Sequence, residues 1–280
     1  MSITVNNNDS AAKKNTDEAM LFQAIHESML SIKHKFLFVS SQGEVGKTTV
    51  IVRLAMALSK KGAKVGLMDL DFNNPDIHKM LGLDLAVTKD SSKRFMPVAY
   101  SDELKIVSIE SVMRDMGETA SWENPLNISD ILRFICSINW SDIDYLFVDT
   151  PQGPGARLPS VIRAIPDPKI IIVTAPDKVS SDNAKKMINF FRKEEISIFG
   201  WIENMRGFLC QNCGQRQELC STGPSSRAIF LNEVPFLGRI PIDAHLNASV
   251  DTREASLEKY TDSQAMECYN LITKKIMECI

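Results

Sequence analysis

The chain has 280 residues, of which 44% are hydrophobic and 24% are charged, and its formal net charge is −3. This size and apolar content are sufficient for one large domain with a substantial core. The weakly negative charge argues against nucleic acid as a partner. No apolar run approaches the roughly 18 residues of a membrane span, and the N-terminal stretch lacks the apolar core of a secretory signal. The sequence therefore predicts a cytoplasmic protein that binds no membrane.

The N-terminal region divides into two segments. Residues 1–18 are polar and rich in Asn, Lys and Asp, which predicts a disordered tail. Residues 19–33 carry apolar side chains at helical spacing, among them Ile25 and Met29. This stripe predicts an N-terminal helix that docks on the main domain.

From residue 34 to the C-terminus, apolar runs of strand length alternate with helical segments. The predicted strands are 35–40, 64–69, 104–109, 144–149, 169–174, 196–202 and 235–240. Their apolar residues are continuous, as is typical of strands covered by helices on both faces. The pattern predicts an α/β fold with a doubly wound, mostly parallel sheet of about seven strands. A last helix, about 263–280, has too few basic residues for a membrane-surface helix, so we expect it to dock on the core.

The segment FVSSQGEVGKTTV lies between the first predicted strand and a predicted helix. It ends like the phosphate-loop pattern G-x-x-x-x-G-K-[ST], with Gly46, Lys47 and Thr48, although Ser41 replaces the first glycine. Backbone N–H groups of such a loop point at phosphates, the lysine contacts the β- and γ-phosphates, and the Thr hydroxyl is a ligand for Mg²⁺. The alternative is an ordinary helix start with no ligand.

Two further segments favour the nucleotide interpretation. DLDFNNPD ends the second strand with Asp69 and Asp71, and DYLFVDTPQGPG ends an apolar strand with Asp149, in the form of a Walker B motif. All three loops follow the carboxyl ends of strands, where ligands bind in open α/β sheets. The sequence therefore predicts a nucleotide and Mg²⁺ site.

Six motifs occur in the order found in one known family. FVSSQGEVGKTTV, DLDFNNPDI, FVDTPQGPG, WIENM, CQNCG and FLGRIPID resemble the Mrp/ApbC-type P-loop proteins, which include Nbp/Cfd-like scaffolds and belong to the MinD/ParA deviant Walker A class. The resemblance spans about residues 34–245 and implies that 34–280 form a P-loop NTPase domain with a cysteine-containing insertion at 205–226. It also implies a cytosolic homodimer that binds ATP and passes iron–sulfur clusters to apo client proteins.

The resemblance assigns roles by motif position. It makes Lys47, Asp71 and Asp149 the catalytic residues, with Asp71 positioning the attacking water and Asp149 sharing the Mg²⁺ with Thr48. Asn204 would read adenine. The full set that it places around the nucleotide is Gly43, Glu44, Val45, Gly46, Lys47, Thr48, Thr49, Asn204, Pro241 and Asp243.

The loop departs from the family pattern G-K-G-G-V-G-K-[ST]-T. Gln42 stands where the family has the lysine that reaches the partner subunit's phosphates, and Glu44 brings a carboxylate close to the phosphate site. Further along, Pro154 removes an N–H and Ala156 a carboxylate from the family's G-T-G-D switch loop. We therefore expect nucleotide binding with slow ATP hydrolysis, and the alternative is a hydrolytically degenerate member.

Cys210 and Cys213 form a C-x2-C pair, with Cys220 nearby as a third candidate. Spacing alone favours Zn²⁺, and a flexible loop with reduced thiols is a further alternative. The resemblance instead implies a [4Fe–4S] cluster held by this pair from each of two subunits. With zinc or no metal in this loop, the competing function is a MinD/ParA-like regulatory switch. The remaining cysteines, Cys136, Cys268 and Cys279, lie in apolar contexts that predict buried thiols.

Overall fold

A computed structural model describes residues 7–72, 74–84, 88–111, 127–152, 157–210, 215–217, 234–243 and 263–279. In chain order its strands are β1 (His34–Val39), β2 (Val65–Asp69), β3 (Thr88–Lys89), β4 (Phe95–Met96), β5 (Val98–Ala99), β6 (Leu104–Ser108), β7 (Tyr145–Asp149), β8 (Pro168–Thr174), β9 (Ile198–Glu203), β10 (Phe208–Leu209), β11 (Arg216–Gln217) and β12 (Phe236–Arg239). Its helices are α1 (Asn7–Ser28), α2 (Lys47–Ser59), α3 (Ile77–Met80), α4 (Ile128–Cys136), α5 (Arg157–Ala164), α6 (Lys178–Lys193) and α7 (Gln264–Glu278).

Eight strands form the main sheet, in the order β12–β9–β8–β1–β7–β2–β6–β5. All neighbours are parallel except β5, which runs antiparallel to β6 at the edge. The seven strands expected from the sequence are all present, so the predicted α/β architecture is confirmed. The eighth strand, β5, has two residues and is too short to leave a hydrophobic pattern.

Helices cover both faces of this sheet. Along β1, Leu37 and Val39 pack into the core under α1, α4, α5 and α6, whereas Phe36 and Phe38 pack into the core under α2, α3 and α7. Because both faces are buried, the strand is apolar at each position from Phe36 to Val39. This is the physical origin of the continuous apolar runs in the sequence.

The terminal helices both pack on the domain. α1 begins at Asn7, inside the segment predicted as a tail, and ends at Ser28, before the predicted end at residue 33. Its docking is confirmed by the full burial of Ile25, at 0% exposure, and by its packing against α4. At the other end, α7 packs on α2 and β12 through Ile272 and Ile276, as the sequence predicts. None of the helices in the described ranges is long and apolar enough to cross a membrane.

Candidate nucleotide site and cysteine hairpin

The phosphate loop joins β1 to α2 at the centre of the sheet. Gly46 has a φ of 73° in the left-handed region, and α2 begins at Lys47. A side chain at position 46 would collide with the amide group of Asn204. Glycine is therefore required there both by the backbone and by the close approach of β9.

Lys47, Thr48 and Asp149 meet below this loop. The Lys47 ammonium is paired with one carboxylate oxygen of Asp149 and donates a hydrogen bond of 2.8 Å to the Thr150 carbonyl. The Thr48 hydroxyl donates to the other Asp149 oxygen at 2.6 Å. The structure thus brings together the three side chains that the sequence assigns to phosphate and Mg²⁺. A hydroxyl and a carboxylate at this separation are a donor set suited to Mg²⁺.

The loop after β2 carries the two acidic residues. Asp69 is fully buried and accepts the backbone N–H groups of Asp71 at 3.1 Å and of Ile77 at 3.3 Å, which fixes the course of this loop. Burial raises the pKa of Asp69, although both hydrogen bonds oppose the shift. Burial lowers the pKa of Lys47, and the nearby carboxylates of Asp71 and Asp69 counter that effect. All these charges therefore share one desolvated site.

Gln152 connects the loop after β7 to both other loops, and the sequence reasoning missed it. Its amide donates to the Asp71 carboxylate at 3.1 Å. Its carbonyl oxygen lies against Gly43, where an added Cβ would be 2.6 Å away. The available signal was its place directly before the altered switch motif, two residues before Pro154.

Three residues of the phosphate loop that depart from the family pattern, Ser41, Gln42 and Glu44, differ in backbone conformation and contacts. Ser41 has no positive φ, so serine fits the backbone, whereas Glu44 is exposed and adopts a φ of 64°. The side-chain carbonyl of Gln42 accepts a hydrogen bond from the Ser180 hydroxyl at 2.8 Å, and that hydroxyl is also 2.5 Å from the Asp177 carboxylate. Gln42, Glu44, Asp177 and Ser180 line an open polar cleft of about 690 Å³ above the loop. Residues 153–156, with Pro154 and Ala156, lie outside the described residues.

A second, smaller pocket of about 120 Å³ lies between α2, β9 and α7. The Asn204 side chain enters it and donates its amide to the Val45 carbonyl at 2.8 Å. The other predicted residues along its wall are Gly46, Thr49, Pro241 and Asp243. Arg53 and Tyr269 also line it, and the sequence reasoning missed both. The available signal was Arg53 itself, a lone charge within the apolar helix segment VIVRLAMAL.

Cys210 lies at the end of a short β-hairpin. β10 and β11 pair antiparallel, and the Cys210 N–H donates to the Gln215 carbonyl at 3.0 Å. Cys213 and Cys220 fall outside the described residues. Among the residues that are described, no three His, Cys, Asp or Glu side chains are grouped to hold a metal ion.

Backbone hydrogen bonds join the root of this hairpin to the wall of the small pocket. The Arg206 N–H donates to the Ile240 carbonyl at 2.9 Å, and the Ile242 N–H donates to the Gly207 carbonyl at 2.8 Å. Ile240 and Ile242 flank Pro241 in that wall. Two segments, 204–207 and 240–242, therefore contribute both to the root of the cysteine hairpin and to the wall of the pocket.

The other cysteines are less buried than expected. Cys136 and Cys268 are half-buried, and Cys279 is exposed. The prediction of a buried thiol is wrong for Cys279 because it follows the last residue of α7, where the apolar stripe no longer faces the core.

Comparison with known families supports the resemblance. The family model described as "ParA: NUBPL iron-transfer P-loop NTPase" matches residues 31–277. The chain belongs to this family. The iron–sulfur cluster carrier protein of Methanocaldococcus jannaschii is 37% identical over 259 residues, which are 91% of this chain and 87% of the relative. The cytosolic Fe-S cluster assembly factor CFD1 of Kluyveromyces lactis is 34% identical and is covered to 93%, with 90% of this chain aligned.

Solved structures show the same α/β fold in other P-loop proteins. A nucleotide-binding protein from Archaeoglobus fulgidus, in complex with ADP, superposes with a TM-score of 0.71 at 28% identity, covering 85% of this chain and 93% of that one. The cell division ATPase MinD of Pyrococcus furiosus gives a TM-score of 0.65 at 19% identity, covering 89% and 100%. The MinD likeness shows the fold alone, and together these matches confirm the predicted P-loop NTPase architecture.

Proposed function

We propose that this iron-transfer P-loop NTPase binds ATP and carries an iron–sulfur cluster that it delivers to apo-proteins in the cytoplasm. The observation that carries the proposal is the 37% identity to a protein named as an iron–sulfur cluster carrier, which extends over 91% of the chain. The similarity spans both the phosphate loop and the cysteine hairpin. The functional unit is residues 34–280, with 205–226 as its cysteine-containing insertion.

The grouping of Lys47, Thr48 and Asp149 supports nucleotide binding. On binding, the Lys47 ammonium would exchange the Asp149 carboxylate for phosphate oxygens, since both are anionic partners within its reach. Thr48 and Asp149 would hold Mg²⁺, which neutralises phosphate charge. Asn204, Pro241 and Asp243 would then surround the adenine.

Cys210 and Cys213 are the proposed ligands of the cluster, which is the cargo of this protein. Two thiolates from one chain cannot complete the four that a [4Fe–4S] cluster takes. The proposal therefore requires a homodimer, with one pair from each subunit. Zn²⁺ in place of the cluster is the alternative that the experiment below separates.

The shared segments give a route by which nucleotide could affect the cluster. Arg206 and Gly207 at the hairpin root are hydrogen-bonded to Ile240 and Ile242 beside the pocket. Closure of these segments around a base would alter the root of the hairpin. We propose that ATP binding changes cluster retention in this way.

Hydrolysis is proposed to be slow. Gln42 has no charge to stabilise a phosphoryl-transfer transition state, and its carbonyl oxygen is engaged by Ser180. Asp71 remains the candidate for positioning water, with Gln152 as its hydrogen-bond partner. Nucleotide binding and release would then matter more than turnover.

Metal analysis after anaerobic reconstitution tests the cluster assignment. Iron, sulfide and zinc are measured per chain for the wild type, for Cys210→Ala/Cys213→Ala, and for Cys268→Ala as a matched control on α7. We expect iron and sulfide in equal amounts in the wild type and the control and neither in the double variant. Zinc without sulfide would favour the zinc alternative, and a full cluster in the double variant would refute the assignment.

A further inference from the structure

Arg53 is a buried cation in the small pocket. It lies on α2 after the phosphate loop and is only 1% exposed. The pocket that it lines also contains Gly46 and Thr49 from the start of the same helix and Asn204 from the end of β9. A guanidinium group therefore lies in the same pocket as the start of α2 and the proposed base-binding residue Asn204.

Two neighbours hold this guanidinium in place. Its central carbon is 6.0 Å from the centre of the Tyr269 ring, a cation–π distance, and Tyr269 is 2% exposed on the C-terminal helix α7. Burial lowers the pKa of Arg53, and Tyr269 and the Asp243 carboxylate oppose that shift. Arginine remains charged even when buried, so the pocket contains a fixed positive group that donates hydrogen bonds.

Burial of such a charge carries a desolvation cost that hydrophobic packing alone would avoid. The other side chains of the α2 core segment are apolar, and an aliphatic residue would suit contact with Ala265 and Ile240 in the same pocket. A purine ring presents nitrogen acceptors and a flat face, and a planar guanidinium can serve either. The location and the chemistry thus match a nucleotide base.

We propose that Arg53, supported by the Tyr269 ring, is a base-recognition residue that donates a hydrogen bond to a ring nitrogen of the bound purine. This inference rests on the proposed nucleotide binding and adds the C-terminal helix to that site. Removal of the donor is expected to weaken binding of the nucleoside part and to leave binding of the phosphate chain unchanged.

The test compares ADP with tripolyphosphate, which has no base, by calorimetric titration in the presence of Mg²⁺. In the full chain, Arg53→Met is expected to raise the Kd for ADP about tenfold and to leave the Kd for tripolyphosphate unchanged. Tyr269→Leu, which keeps Arg53 but removes its support, is expected to act in the same direction. The ratio of the two Kd values is the readout, because partial unfolding reduces both apparent affinities by the same factor.

The outcomes are distinct. An unchanged ratio in both variants would overturn the role of Arg53, whether or not the variants are less stable. The role of Arg53 would be established by two results together. The ratio changes in the variants, and loss of one ring nitrogen, in 7-deaza, 3-deaza or 1-deaza ADP, weakens binding to the wild type but not to Arg53→Met. If the wild type binds neither ADP nor tripolyphosphate, the proposed nucleotide binding itself fails.

Discussion

Asn204, at the carboxyl end of β9, donates its side-chain amide to the carbonyl of Val45 in the phosphate loop at 2.8 Å. The two residues are far apart in sequence, and this bond ties the outer part of the sheet to the loop at its centre. Asn204 is also the residue to which the family resemblance assigns contact with adenine. A single side chain therefore supports the loop and lines the proposed base pocket.

Replacement of Asn204 by Ala is predicted to affect both properties. The Val45 carbonyl would lose its buried donor, so the free energy of unfolding should fall by about 1–2 kcal/mol. Affinity for ADP should fall about tenfold, because the loop and the pocket are both altered. Urea unfolding and calorimetry measure these quantities. Asn270→Ala, at an exposed position of α7, is the control and should change neither.

Lys47→Met is predicted to destabilise the protein. It leaves the fully buried Asp149 carboxylate without its cationic partner, at a cost of about 3 kcal/mol in the free energy of unfolding. Adding Asp149→Asn removes the stranded charge and should restore most of that loss without restoring ADP binding. A double variant that unfolds as readily as Lys47→Met would show that the loss of stability does not come from the stranded Asp149 charge.

Glu44→Gly is predicted to raise both the free energy of unfolding and the affinity for ATP. The left-handed φ of 64° at Glu44 costs an L-residue roughly 1–2 kcal/mol. Glycine avoids this cost, but part of the gain in stability is lost because glycine makes the unfolded chain more flexible. The substitution also removes a carboxylate from the rim of the phosphate site, so affinity for ATP should rise several-fold.

Glu44→Gln separates the two effects, since it removes the charge and keeps the strained backbone. We expect it to raise affinity for ATP without raising the free energy of unfolding. If Glu44→Gly binds ATP more weakly than the wild type, the Glu44 carboxylate contributes to ATP binding instead of opposing it.

Gln42→Lys is predicted to raise ATP turnover at least about tenfold, because it supplies the charge that the family resemblance places there. The Asp177 carboxylate beside Ser180 offers the new ammonium a partner in the cleft. Phosphate release under saturating ATP is the measurement, with Gln42→Met as the uncharged control. Equal turnover in Gln42→Lys and Gln42→Met would place the hydrolytic defect elsewhere, such as at Pro154.

The sequence predicts the central sheet well because its strands are buried on both faces and leave continuous apolar runs. The grouping of Lys47, Thr48 and Asp149 also follows from the sequence, because Lys47 and Thr48 come after β1, Asp149 ends β7, and these strands are parallel neighbours. Their roles stay a prediction. The sequence does not predict Gln152 or the pairing of Arg53 with Tyr269, because those contacts depend on how distant elements meet. The start of α1 at Asn7 was missed because the polar segment has no apolar stripe, and helices are predicted mainly from such stripes.

Native mass spectrometry of the anaerobically reconstituted protein tests whether a dimer carries the cluster, since it weighs subunits and cargo together. We predict a species of two chains and one [4Fe–4S] cluster, which the Cys210→Ala/Cys213→Ala variant does not form. We also predict a change in cluster retention when Mg²⁺ and ATP are added. A species that carries zinc and no iron, or a single chain that holds a complete cluster, would contradict the proposed function.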